Sequence, residues 1–169
     1  LKIQHNFNSI CLIPTNLYGP GDNYNERNSH VIPALIRKIY NAKINDLESV
    51  TCWGSGQPLR EFLYVDDLAE ACLYILGIWN SELNMEKIDA DFKQIFWLNV
   101  GSDFEVSINE LANIISDTIG YKGKIIWDSN MPDGTPRKKL DTSLINNIGW
   151  HAKTDLKNGV RKTFNHFVN

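Results

Sequence analysis

The sequence carries little net charge: 17 Lys and Arg stand against 20 Asp and Glu, a balance of −3. A chain so balanced has no general attraction to nucleic acid or to an anionic membrane, so any anion site must be local. Cysteine is scarce. Cys11, Cys52 and Cys72 are odd in number, unpaired in spacing and set in apolar runs. They read as buried thiols in a reducing compartment, which excludes a disulfide framework and a zinc site, and no metal is expected. No apolar run approaches a bilayer span, and the N-terminus lacks the basic and apolar blocks of a signal peptide, so the expectation is a cytoplasmic protein with no membrane partner. There is no internal repeat, no low-complexity tract and no glycine-rich phosphate loop, which a dinucleotide-binding enzyme of the Rossmann class would need. The first residue is Leu, and the polar lead Lys2-Ile3-Gln4-His5-Asn6 runs directly into an apolar strand. That abrupt entry reads as a fragment.

What is present is a core and one dense stretch. With 43% apolar residues, 169 residues can bury a core as one domain or a large part of one. The chain is organised around Trp53 to Asp67: a strand ends in Trp53, Gly54-Ser55-Gly56-Gln57-Pro58 reverses it, and a second strand carries Arg60 into Asp66-Asp67. Gly54 and Gly56 permit a tight turn close to a bound group. Arg60 offers a planar fork of donors for a phosphate or carboxylate, and Trp53 a flat apolar face. Against this stands a plainer reading, in which Arg60-Glu61 is an exposed strand pair and Trp53 belongs to the core. Asp67 with Glu70 fits a helix N-cap and its reciprocal partner.

Before this stretch, Ser9 to Ile13 reads as a strand buried on both faces, followed by a turn-rich loop from Pro14 to Asp22. Ligands of open α/β sheets collect beyond strand ends, which makes Asn16 and Tyr18 candidate contacts. Ser29 caps a predicted helix through Val31, Leu35 and Ile39, with Pro33 harmless in its first turn. His30 then sits at the helix start, after the turn-rich loop. A lone His there is also an ordinary capping residue. Residues 41–48 read as a polar connection, and 80–94 as a long surface one.

Further on, Ile95 to Val100 reads as a strand. Ser107 and Glu110 form a capping box for a helix ending near Gly120, and Lys124 to Trp127 form a short strand. The run Met131 to Asp141 contains two prolines and a glycine, is read as irregular, and holds Arg137, Lys138 and Lys139 as a second candidate anion site. A short helix from Thr142 to Ile148 and a last one capped by Thr154 close the chain.

Taken in order, Pro14-Thr15-Asn16-Leu17-Tyr18-Gly19-Pro20, Ser29-His30-Val31-Ile32-Pro33-Ala34-Leu35, Trp53-Gly54-Ser55-Gly56 with Arg60-Glu61-Phe62, and Pro132-Asp133-Gly134-Thr135-Pro136-Arg137-Lys138 carry a resemblance. The chain resembles the C-terminal half of the extended short-chain dehydrogenases/reductases that act on nucleotide sugars, in the branch that forms GDP-fucose. The resemblance implies an α/β fold, the last strands of a Rossmann-like parallel sheet plus a small C-terminal α/β substrate-binding lobe. It implies 1-169 as the substrate-binding part of a GDP-sugar epimerase and NADPH-dependent reductase. Pro14, Thr15, Asn16 and Leu17 would meet the nicotinamide end of NADPH, with His30 beside them as the catalytic acid. Lys38, Trp53, Arg60, Asp133 and Lys138 would bind substrate, Arg60 at the diphosphate. The cysteine that partners the histidine in the family matches none of Cys11, Cys52 or Cys72. The family's Tyr-x-x-x-Lys pair is also absent from this sequence, so the chain alone is expected to be inactive, and monomeric where the whole protein is a homodimer. A UDP- or dTDP-sugar enzyme, and a non-catalytic nucleotide-sugar-binding module, are the alternatives.

Overall fold

The computed structural model describes residues 2–5, 7–79 and 97–169. The expected connection 80–94 and the first two residues of the strand expected from Ile95 lie outside them. Along the chain, helix α1 (Lys2–His5) precedes strands β1 (Cys11–Pro14) and β2 (Asn16–Tyr18), helix α2 (Val31–Ile44), strands β3 (Ser49–Trp53) and β4 (Leu59–Tyr64) and helix α3 (Val65–Ile78). After residue 96 come β5 (Trp97–Val100), β6 (Glu105–Ser107), α4 (Ile108–Ile119), β7 (Lys124–Asp128), β8 (Arg137–Lys138), α5 (Ser143–Asn147) and α6 (Leu156–Val168).

The fold is α/β, and its strand pairs are mostly parallel: β1 with β5, β2 with β4, β3 with β7 and β8 with β4, while β6 runs antiparallel to β4. Strand β4 joins two cores, because alternate side chains of a strand face opposite ways. Phe62 and Tyr64 enter a cluster with Ile32, Ile36 and Ile39 of α2, Leu111 and Ile115 of α4 and Val160 of α6. Leu63 enters a second cluster with Ala71 and Ile75 of α3, Leu98 and Val100 of β5, and Ile145. The site opens on the side of β4 that carries the first cluster.

Several local expectations are corrected. Strand β1 is not buried on both faces: Cys11 is exposed and Ile13 is 44% exposed. Its described strand partner is β5, and its covered side is the one that packs Leu12 on the second cluster. The loop after Pro14 contains β2, because Asn16 to Tyr18 find backbone partners on β4 in spite of their turn-like neighbours. The "polar connection" begins later than expected: α2 continues to Ile44, since Ala42 on its inner face is buried. The irregular run 131–141 holds one short strand, β8, whose two residues lie beyond its last proline.

The caps also differ. Helix α2 has His30, not Ser29, at its N-cap, in extended conformation and without a side-chain cap bond. Helix α3 follows β4 directly from Tyr64, so Asp67 does not cap it. Asp67 is buried, and its carboxylate accepts the Thr154 N–H at 2.9 Å and hydroxyl at 3.0 Å, while Glu70 pairs with Lys153 at 2.6 Å. Thr154 is spent on that tie, and Asp155 caps α6 instead, accepting the Asn158 N–H at 2.9 Å. The Ser107–Glu110 capping box forms as the sequence indicates, and α4 ends on Gly120 in the left-handed region.

Candidate functional site

A cavity of about 750 Å³ opens between the β2 segment, the start of α2 and the turns that flank β4. Thr15, Asn16, Leu17 and Tyr18 line one wall, and Gly19 to Asp22 continue it. His30 to Pro33 contribute the N-terminal turn of α2, and Trp53, Gly56, Pro58, Arg60 and Phe62 come from β3, β4 and the turn between them. Pro132, Asp133 and Gly134 close the remaining side. The alternation of β4 decides which of its residues face the ligand space: Arg60 and Phe62 do, while Glu61 and Leu63 point the other way. Mostly apolar walls with a few convergent polar groups are the usual character of a small-molecule site.

The turn from Trp53 to Pro58 is held by two devices. Gly54 and Gly56 lie at φ +79° and +73°. A Cβ on Gly54 would stand 2.3 Å from Asp133 Oδ1, and one on Gly56 would stand 2.7 Å from the Trp127 ring. The Asp133 carboxylate accepts the Ser55 N–H at 2.8 Å and the Ser55 hydroxyl at 2.6 Å. The hydroxyl bond, reinforced by the backbone one, holds Asp133 below the usual carboxylate range. Asp133 therefore lines the cavity chiefly as the clip between two of its walls.

Trp53 is 69% exposed and stands at the cavity's edge, which sets aside the reading that places it in the core. The Lys38 Nζ lies 5.9 Å from the centre of its ring and donates to the Thr51 carbonyl at 2.7 Å. Arg60 is partly buried and gives one N–H to the Leu59 carbonyl at 2.7 Å, leaving its Nη2 edge free of that bond beside Gly134. Glu61, by contrast, is wholly buried, so the pair is not an exposed strand pair.

The expected site residues thus divide. Thr15, Asn16, Leu17, His30, Trp53, Arg60 and Asp133 share the cavity. Pro14, Lys38 and Lys138 are not among its lining residues: Pro14 ends β1 in register with Val100, Lys38 is engaged behind Trp53, and Lys138 lies in β8 alongside Arg60. Arg137 donates from Nε and Nη2 to the two carboxylate oxygens of Glu105, at 2.8 and 2.6 Å, which turns this cation away from the second anion site. None of the cysteines lines the cavity, and they are not uniformly buried: Cys11 is exposed, Cys72 partly so, and only Cys52 is fully covered. Burial pushes the Cys52 thiol up despite the nearby Lys38. Among the described residues no group of His, Cys, Asp and Glu is arranged to hold a metal, and no helix is long and apolar enough to cross a membrane. The sequence reading missed Glu61, whose signal was a carboxylate in phase with the apolar Leu59 and Leu63 on one face of its strand.

Residues 2–86, just over half of the chain, match the model of the NAD dependent epimerase/dehydratase family. The chain belongs to that family. Members similar to it include a probable GDP-L-fucose synthase 1 from Oryza sativa subsp. japonica, 46% identical over 99% of this chain and 47% of the relative. The GDP-L-fucose synthase of Escherichia coli (strain K12) is 41% identical over 93% of this chain and 48% of its own. Among solved structures, a GDP-6-OMe-4-keto-L-xylo-heptose reductase from C. jejuni superposes with a TM-score of 0.86 at 28% identity, covering 99% of this chain and 56% of the other. A GDP-L-fucose synthetase from Naegleria fowleri does so at 0.77 and 29%, covering 94% and 45%. The chain spans about half the length of the relatives it matches.

Proposed function

We propose that residues 1-169 are the substrate-binding part of a GDP-L-fucose synthase. The whole protein then converts GDP-4-keto-6-deoxymannose to GDP-L-fucose by epimerising the carbons on either side of the ketone and reducing the ketone with NADPH. The observation that carries this reading is the cavity in which His30, Arg60 and Trp53 meet the 15–17 wall. Relatives bearing that name match the chain almost end to end, and others are named for GDP-L-colitose and GDP-heptose chemistry. Those names favour a guanosine nucleotide over the UDP or dTDP alternatives.

Each residue has a role that its chemistry allows. Arg60, with the donors it keeps free of Leu59, grips the diphosphate. Trp53, backed by Lys38, supplies a flat wall at the cavity edge. His30 is the acid that delivers a proton beside the ketone, since an imidazole exchanges protons near neutrality. The cysteine that would work with it is not among Cys11, Cys52 and Cys72.

The residues present fit one end of NADPH. Leu17 would offer an apolar face to the nicotinamide end, and Thr15 and Asn16, whose side chains donate to the Glu61 carbonyl at 3.3 and 2.7 Å, would hold that wall in place beside it. Bound there, NADPH supplies the hydride. A glycine-rich loop for its pyrophosphate is not part of this sequence, so the chain alone is inactive in this reading. The proposed setting is a cytoplasmic homodimeric enzyme, with the isolated chain monomeric and neither nucleic acid nor membrane as partner.

Titration of the purified chain by calorimetry with GDP-fucose, and with UDP-glucose as control, tests the assignment. Selective binding of the GDP sugar is expected. Equal binding of both would favour the broader sugar-nucleotide alternatives, and NADPH oxidation by this chain with the keto-sugar would overturn the expected inactivity.

A further inference from the structure

Glu61 has 0% exposure, and its carboxylate lies on the face of β4 turned away from the cavity. Oε1 accepts the backbone N–H groups of Ser102 and Asp103, both at 2.9 Å, and Oε2 accepts that of Leu140 at 3.1 Å. The main-chain oxygen of the same residue accepts Asn16 Nδ2 and Thr15 Oγ1. Three separate stretches of chain are therefore pinned on one residue, and two of them run into cavity walls. A buried carboxylate is costly unless it is fully satisfied, and an apolar side chain like that of Leu63 two residues on would cost nothing of the kind. Only an acceptor with two oxygens gathers three N–H donors that no strand partner serves.

The geometry connects this knot to the ligand side of β4. The wall from Pro132 to Leu140 is stretched between two clamps: Asp133 on Ser55 at one end and Leu140 on Glu61 at the other. Between them the Pro136 carbonyl accepts the Leu59 N–H at 2.8 Å, and β8 runs beside Arg60. Gly134 lies so close to Arg60 that a Cβ there would come within 3.0 Å of Nη2. Gly101 keeps space for the carboxylate, because a Cβ on it would stand 2.3 Å from Oε1. We infer that Glu61 is a positioning residue: from behind the strand its carboxylate holds the 132–140 wall in register with the Arg60 guanidinium, while the 15–16 wall rests on its main-chain oxygen, which any residue at this position supplies. The role as stated rests on the reading of the cavity as a GDP-sugar site.

Two substitutions test it in this chain. Glu61→Gln keeps the size but turns one acceptor into a donor, so at least one of the three N–H groups loses its partner. Gly101→Ala keeps the charge and displaces the carboxylate. Val160→Ala, in α6 and outside the cavity, controls for lost stability. In both test variants Leu140 amide exchange should accelerate, the Ser55 and Gly134 amide resonances should shift, and the dissociation constant for GDP should rise about tenfold, as for outer groups that orient a site. Val160→Ala should leave the resonances and the affinity of the folded protein unchanged. Faster exchange at Leu140 with Ser55, Gly134 and GDP affinity unaltered would overturn the inference and leave Glu61 a purely structural tie. If the unsubstituted chain has no affinity for GDP, the GDP-sugar reading falls, and the Ser55 and Gly134 resonances still decide whether Glu61 positions this wall.

Discussion

Replacing Arg60 by Ala removes the one guanidinium that lines the cavity. In the folded chain it donates to the Leu59 carbonyl at 2.7 Å, and among the described residues it has no ion pair with a carboxylate. The loss to folding should therefore be below about 1 kcal/mol. The loss to binding should be larger. Two charge-assisted hydrogen bonds to a diphosphate contribute about 1.5–3 kcal/mol each, and the partial exposure of Arg60 screens part of that. A net cost of about 2–3 kcal/mol follows, which weakens GDP binding roughly 30- to 150-fold. Calorimetry with GDP and with guanosine separates the causes, since guanosine has no phosphate to grip. Unchanged GDP affinity would remove Arg60 from the site, and an equal loss for guanosine would show that the wall had collapsed instead.

Two further outcomes concern stability. Glu105, Glu110, Asp133, Asp141 and Asp155 are all held below the ordinary carboxylate range, Glu105 by its bond from Arg137, Glu110 by the Ser107 hydroxyl, Asp133 by the Ser55 hydroxyl, Asp141 by the Ser143 N–H and Asp155 by the Asn158 N–H. The unfolded chain then binds more protons than the folded one in acid, so the melting temperature should stay level from about pH 7 to 5 and fall below about pH 4; a level curve down to about pH 2.5 would count against these bonds. Ser107→Ala breaks the capping box of α4 and should cost about 1 kcal/mol in a urea titration with an unchanged slope. A change below a few tenths would show that packing of the inner face alone sets that helix.

Apolar periodicity and turn chemistry made much of the architecture readable. The 3.6-residue spacing through Ile32, Ile36 and Ile39 and through Leu111, Ile115 and Ile119 marks two helices whose inner faces are buried in the structure. Ser107 with Glu110 and Gly120 marked the ends of α4, because those are local effects set by neighbouring residues. Gly54 and Gly56 marked the turn, and both occupy the left-handed region. The caps of α3 and α6 were misread for the opposite reason. Asp67 and Thr154 are good capping residues, but each offers the other a better partner across 87 positions of sequence.

The sequence by itself determined the α/β class, the principal helices, the tight turn after Trp53 and the side-chain chemistry on offer, since these depend on spacing and on residue type. Only the tertiary structure decided which of that chemistry meets. It placed His30, Arg60 and Asp133 in one cavity and left Lys38 and Lys138 out of its lining. It turned Arg137 to Glu105 and away from a free anion site. It also buried Glu61, because the partners of that carboxylate, Ser102, Asp103 and Leu140, are distant in sequence and are brought to it only when β4 takes its place at the centre of its sheet.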